Sequence, residues 1–255
     1  MSNSLTGKVA LITGSSRGIG RAIASKLAAE GARCVLTGRD SAALELVGAE
    51  IDAPWMALDL REAEAGPRLV EFAIKRCGRL DILVNNAGAT KRGEFVTLTD
   101  EDWLDGFALK FFGAVRVTRA AWPYLKAAGG SVLNIGGVGG RTPGPMFSIG
   151  GSVNAALMAL TKSLADTGLD DGIQVNTVNP GVVRTERTQR RLADLAARQQ
   201  IDISTAEQAL VAKENIIRFG EPEEIAELVS FVVSPRGRFL HGSLIDIDGG
   251  ATKSV

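Results

Sequence analysis

The chain alternates from end to end. Short apolar runs bounded by turn residues are separated by longer stretches of helical periodicity. The runs are Val9-Ala10-Leu11-Ile12, Cys34-Val35-Leu36-Thr37, Trp55-Met56-Ala57-Leu58, Ile82-Leu83-Val84, Val132-Leu133-Asn134-Ile135, Val175-Asn176-Thr177-Val178 and Leu244-Ile245-Asp246-Ile247. Most are too short for helices and lack the polar alternation of a strand with one wet face. A strand buried on both faces needs covering layers above and below, which the intervening helices supply. The segment Arg21 to Glu30 has helical spacing and stops at Gly31, a suitable helix end. This alternation predicts an α/β fold with a doubly wound, mostly parallel sheet.

No Pro/Ser-rich linker and no internal repeat divides the 255 residues, so a single domain over 1–255 is expected. One connection is unusually long. From about 184 to 219 the pattern is helical and arginine-rich, and it reads as a helical lid over a cleft at the strand ends. Its arginines, Arg184, Arg187, Arg190, Arg191 and Arg198, read mainly as a solvated face with Glu186 and Asp194 as partners.

Charge excludes one class of partner. Lysine plus arginine equal aspartate plus glutamate at 29 each, and no basic excess favours a nucleic-acid backbone. No apolar run is long enough to span a bilayer. Met1-Ser2-Asn3-Ser4 starts no charged-then-apolar leader, so a cytoplasmic location is expected. Two scattered cysteines, Cys34 and Cys77, read as reduced thiols. With one histidine, His241, they make no metal-ligand cluster, and no metal is expected.

The first apolar run leads into Thr13-Gly14-Ser15-Ser16-Arg17-Gly18-Ile19-Gly20 and then a helix. A glycine turn in that place lets the backbone approach a pyrophosphate, and the helix N-terminus adds N–H donors and partial positive charge. After the second run, where a carboxylate would accept from a ribose 2′-hydroxyl, stand Gly38 and Arg39, with Asp40 next. Arg17 adds a second guanidinium. Two guanidiniums favour a 2′-phosphate, so NADP(H) is expected over NAD(H).

Further blocks recur along nearly the whole chain. They are Asp59-Leu60, Asn85-Asn86-Ala87-Gly88, Asn179-Pro180-Gly181 with Thr185, Arg218-Phe219-Gly220-Glu221-Pro222-Glu223-Glu224-Ile225-Ala226 and Asp248-Gly249-Gly250. With the glycine turn, they resemble the short-chain dehydrogenase/reductase family, a single-domain Rossmann fold. The resemblance implies a cofactor site of Gly14, Ser16, Arg17, Gly18, Ile19, Gly20, Arg39, Asp59, Leu60, Asn86, Ala87, Gly88, Pro180, Gly181, Val183 and Thr185. In it, Asp59 and Leu60 flank the adenine, Asn86 and Gly88 line the ribose, and Pro180 to Thr185 hold the nicotinamide. It also implies a homo-oligomer, a tetramer or dimer. Helices after the fourth and fifth strands and the C-terminal strand region would build it, with Phe107, Phe111, Phe112 and Trp122 buried there or in the core.

The family's Asn, Ser and Tyr-x-x-x-Lys positions fall on Lys110, Gly137, Gly150 and Asn154. The sole tyrosine, Tyr124, lies elsewhere and reads as structural or interfacial. Ser148, Ser152, Thr142 and Arg141 fall near the cleft, and Ser148 also reads as a helix cap. Two readings follow. One is an NADP(H)-binding oxidoreductase acting on a carbonyl or alcohol through an atypical site, with Lys110 entering the space left by the glycines as proton donor. The other is a non-catalytic homologue serving as nucleotide sensor or partner subunit.

Overall fold

The computed structural model describes residues 4–253, and the leader reading at Met1 to Asn3 lies outside them. Seven strands form one sheet in the order β3-β2-β1-β4-β5-β6-β7, every neighbouring pair parallel. They are β1 (Val9–Thr13), β2 (Arg33–Gly38), β3 (Trp55–Ala57), β4 (Ile82–Asn85), β5 (Ser131–Ile135), β6 (Gln174–Pro180) and β7 (Leu244–Ile247). The sheet is thus wholly parallel rather than mostly so. Each apolar run of the sequence holds a strand, and β1, β4, β5 and β6 are buried along their whole length.

Helices cover both faces. On one face lie α1 (Gly18–Ala29), α2 (Ser41–Ile51) and α9 (Pro222–Val233), packed on a core containing Ile12, Leu36, Val84, Leu133 and Val178. On the other lie α3 (Ala65–Cys77) and α5 (Gly113–Ala128), around Leu11, Val35, Leu83 and Val132. Alternate residues of β1, Leu11 and Ile12, point into opposite cores, as pleating requires. The long helix α6 (Ser148–Asp171) follows β5, and α4 (Asp100–Gly106) precedes a π-helical stretch at Phe107–Phe112 that runs into α5. Such wide turns interrupt the ordinary helical ladder and recur at functional sites.

The arginine-rich connection forms α7 (Glu186–Gln199) and α8 (Ile203–Glu214). These pack on a small core of their own, Leu192, Ala196, Ala206, Leu210, Ile216 and Phe219. Between β1 and β4 the strand order reverses direction. The chain runs outward from β1 through β2 to β3, then returns to β4 on the other side. The helices that follow β1 and β4 therefore lie on opposite faces of the sheet, and a crevice opens at the carboxyl ends of these strands.

Candidate functional site

The crevice begins with the glycine turn. Gly14 has φ +67°, a left-handed conformation that disfavours a side chain. A Cβ there would lie 2.9 Å from Ala87 Cα, and one on Gly20 would lie 2.2 Å from the Gly14 carbonyl. That closeness has a cause in β4. Asn86 Nδ2 donates to the carbonyls of Thr13 (2.9 Å) and Gly14 (3.0 Å). The Thr13 hydroxyl accepts from the backbone N–H of Asn86 and of Ala87, each at 3.0 Å. The loops after β1 and β4 are thus tied together. No side chain caps the start of α1, leaving its first N–H groups and its dipole facing outward from Gly18.

The other expected positions cluster at the same sheet edge. Arg17 and Arg39 are mostly exposed, lightly paired with Glu186 (3.7 Å) and Asp59 (3.8 Å). Gly38 faces Ser16, so that a Cβ would sit 3.3 Å from its hydroxyl. Asp40 is committed elsewhere: its carboxylate accepts from Ala43 N–H and caps α2. Asp59 accepts from Arg61, while Leu60 is buried against Gly113. Pro180 ends β6, Gly181 donates to the Ile247 carbonyl, and buried Val183 bridges to Gly220. Thr185 caps α7 by accepting from Thr188 N–H, and its methyl would stand 3.4 Å from a Cβ on Gly18. The start of α7 therefore abuts the glycine turn.

Deeper in, Lys110 reaches from the π-helical stretch across the loop after β4. Its stem lies on Gly88, where a Cβ would come within 2.8 Å of Lys110 Cδ. Its Nζ donates to the Gly136 carbonyl at 2.8 Å and to Asn154 Oδ1 at 2.6 Å. No carboxylate pairs with it among the described residues. Burial, aided by the positive charge of Arg187, pushes its pKa down to about 7. Two of its hydrogens are committed to acceptors. The third valence is a proton when the group is an ammonium and a lone pair when it is an amine.

The two glycines are filled differently from each other and from expectation. Gly137 faces Asn154, and a Cβ would meet Nδ2 at 2.8 Å. Gly150 faces the Phe147 ring, whose Cε2 and Cζ would both lie 2.1 Å from a Cβ. The same ring presses on Gly139, at 2.7 and 2.8 Å. Gly151 accommodates Pro143 and the Gly139 carbonyl in the same way. Phe147 therefore occupies the space beside Gly150, and Lys110 lies toward Gly136 and Asn154. Ser148 does not cap α6; Phe147 holds the cap position, and the Ser148 hydroxyl is buried without a hydrogen-bond partner. Arg92 stacks over the Phe147 ring at 4.3 Å. The sequence reading missed both residues; the cluster Gly139, Gly150 and Gly151 was the available signal for a close-packed ring.

Lid arginines find other partners than Asp194. Arg184 donates to Glu207 (2.6 and 2.8 Å) and Glu221 (3.0 Å), Arg191 lies 3.7 Å from Glu214, and Arg187 donates to the Gly88 carbonyl at 2.9 Å. Arg141 is held by Asp246 and the Leu244 carbonyl. His241 bridges the Ala165 carbonyl and Val175 N–H, a structural role. Tyr124 is exposed on α5. Both cysteines are free thiols, and burial raises the Cys34 pKa to about 12. The described residues contain no group of three or more potential metal ligands and no helix able to cross a membrane.

A family model described as Enoyl-(Acyl carrier protein) reductase matches residues 14–252. An uncharacterized oxidoreductase of Methylorubrum extorquens is 35% identical over 96% of this chain and 98% of its own. A 3-oxoacyl-[acyl-carrier-protein] reductase of Vibrio harveyi is 31% identical, covering 96% and 98%. Among solved structures, L-sorbose reductase from Gluconobacter frateurii, complexed with NADPH and L-sorbose, superimposes with a TM-score of 0.93 at 32% identity and full coverage of both chains. A short chain dehydrogenase from Burkholderia cenocepacia in complex with NADP gives 0.82 at 31% identity, covering 97% of this chain and 99% of the other.

Proposed function

The chain belongs to the short-chain dehydrogenase/reductase family of oxidoreductases, and from that premise we propose an NADP(H)-dependent carbonyl reductase or alcohol dehydrogenase whose proton-handling group is Lys110. The observation that carries this reading is the Lys110–Asn154 pair. The positions that carry asparagine and lysine in the family hold lysine and asparagine here, and the two side chains meet at 2.6 Å. A cation is kept in the cleft but reaches it from the other wall.

The residues present fit a dinucleotide. The uncapped start of α1 and the tight Gly14–Gly20 turn suit a diphosphate. Gly88 lines the groove beside Lys110, and Pro180, Gly181, Val183 and Thr185 border the nicotinamide end. Arg17 and Arg39 suit a 2′-phosphate, and the engagement of Asp40 in capping α2 removes the nearest carboxylate from competition. When bound, the cofactor supplies or accepts the hydride.

The chain's own task is the proton. A carbonyl oxygen gaining negative charge needs a donor, and an ammonium with a pKa near 7 is well matched to that task at neutral pH. The Gly136 carbonyl and Asn154 fix Nζ with two hydrogen bonds, leaving the third proton for the substrate oxygen. In the alcohol-to-carbonyl direction the amine form accepts that proton. Phe147 closes the floor beside Gly150 and excludes water there, and α7 with α8 covers the groove as a lid.

The assembly proposed is a homotetramer or dimer through α5, α6 and the region of β7, in the cytoplasm. NADPH oxidation across a panel of aldehydes and ketones tests the function. Tight NADPH binding with no turnover on any member, in protein shown to be folded, would instead support the sensor or partner-subunit reading.

A further inference from the structure

We propose that the substrate carries an anionic group, carboxylate or phosphate, seated by Arg92 and Arg191 at the cleft mouth while its carbonyl sits at Lys110. This rests on the reading of the cleft as a carbonyl site and names the class of molecule that enters it.

Phe147 is packed in place by glycines. Its ring lies on Gly150, one helical turn of about 6 Å before Asn154 on α6. Asn154 in turn holds the Lys110 ammonium. Arg92 is stacked 4.3 Å above the outer side of this ring. A backbone bond from Gly93 N–H to the Met146 carbonyl joins the two loops and fixes that stack. The guanidinium is therefore held by an aromatic ring rather than by a carboxylate, and that ring lies on the helix that carries Asn154.

Its charge is under-compensated. Among the described residues Arg92 forms no ion pair, and Arg191 has only Glu214, at 3.7 Å. Arg187, nearby on α7, also has no carboxylate partner and donates only to the Gly88 carbonyl. Partial desolvation and then the repulsion of Arg191 lower the Arg92 pKa, and the more weakly acting Glu214 opposes them. By contrast Arg184, just before α7, is clamped by two glutamates. The lid carboxylates thus clamp Arg184 and leave Arg92 and Arg187 without an ion pair among the described residues. A guanidinium held flat on a ring keeps its N–H edge free for two parallel bonds to a carboxylate or phosphate.

The experiment compares matched pairs by titration calorimetry, with and without saturating NADP+. The probes are 4-oxopentanoate against its methyl ester, and dihydroxyacetone phosphate against dihydroxyacetone. At least one charged probe should bind tenfold or more tightly than its neutral mate, and 0.5 M salt should erode the difference. Preference for 4-oxopentanoate assigns a carboxylate; preference for dihydroxyacetone phosphate assigns a phosphate. R92A and R92Q should each reduce the charged-to-neutral ratio at least fivefold with the neutral probe unchanged. Equal affinity within both pairs, absence of binding by all four probes, or ratios unchanged in both variants would overturn the proposal. Because binding is read without turnover, an anion preference in a protein that reduces nothing would sink the reductase reading and leave this site standing.

Discussion

The Phe147–Gly150 contact makes a prediction whose sign depends on background. Gly150 lies in the first turn of α6, where replacing glycine by alanine ordinarily stabilises a helix by about 1 kcal/mol. Here the new methyl would stand 2.1 Å from two carbons of the Phe147 ring. The ring cannot simply retreat, because Gly139 backs it and Arg92 caps it. Overpacking of this kind costs about 1–3 kcal/mol, so the net effect of Gly150→Ala is a loss of about 1 kcal/mol. For a domain of this size that is a fall in melting temperature of roughly 2–4 °C. In a Phe147→Ala background the clash is gone, and the same change should stabilise by about 1 kcal/mol. The assay is a double-mutant cycle by urea unfolding on the cofactor-free protein, with an expected coupling of about 2 kcal/mol. A Gly150→Ala variant that is more stable than wild type with Phe147 present would refute the claim that this glycine exists to admit the ring.

Other outcomes follow from the same geometry. Lys110→Met should abolish turnover and leave NADP(H) affinity nearly unchanged, measured by steady-state kinetics and cofactor titration. In the parent protein, reduction should decline as pH rises through about 7 and the reverse reaction should increase, since one needs the ammonium and the other the amine. A lysine pKa lowered from 10.5 to about 7 means the unfolded state holds the extra proton between those values. Stability from this group therefore rises with pH across that window, and the stability gap between Lys110→Met and wild type should shift accordingly in urea melts at pH 7 and pH 10. Arg39→Ala should weaken NADP(H) at least tenfold more than NAD(H) by fluorescence titration. Introducing the residues that the family resemblance implies at these positions, with Gly137→Ser, Gly150→Tyr, Asn154→Lys and Lys110→Asn, should give no ketone reduction until Phe147 is also shortened, read by NADPH consumption in folded protein.

Where the sequence spoke through local pattern, it was legible. The Val9 run, the glycine turn and the helix behind it are contiguous, and their burial and order follow from periodicity and strand–helix alternation. The seven apolar runs hold the seven strands, and the parallel sheet follows from the burial of its central strands on both faces. The interior of the cleft was legible only in its parts. Lys110 and Asn154 are 44 positions apart on different helices, so their bond depends on how α5 and α6 cross the sheet. Phe147 looked like any aromatic in a loop; only the packed backbone shows that three glycines make room for it or its neighbours. The lid arginines misled for a related reason. Neighbours at helical spacing, such as Asp194, were the visible partners, whereas tertiary packing delivered Glu207, Glu214 and Glu221 instead.

The Lys110–Asn154 pair makes the two single exchanges at these positions unequal. Asn154→Lys and Lys110→Asn each turn the mixed pair into a like one, with opposite consequences. Lysine at both positions would set two ammonium groups within hydrogen-bond reach in a space that already depresses one of them, an arrangement stable only if one gives up its charge. Asparagine at both is neutral and keeps a donor and an acceptor facing each other, but it lacks the cation. Lys110→Asn is therefore the exchange the fold should tolerate, with loss of the positive charge at this point of the cleft.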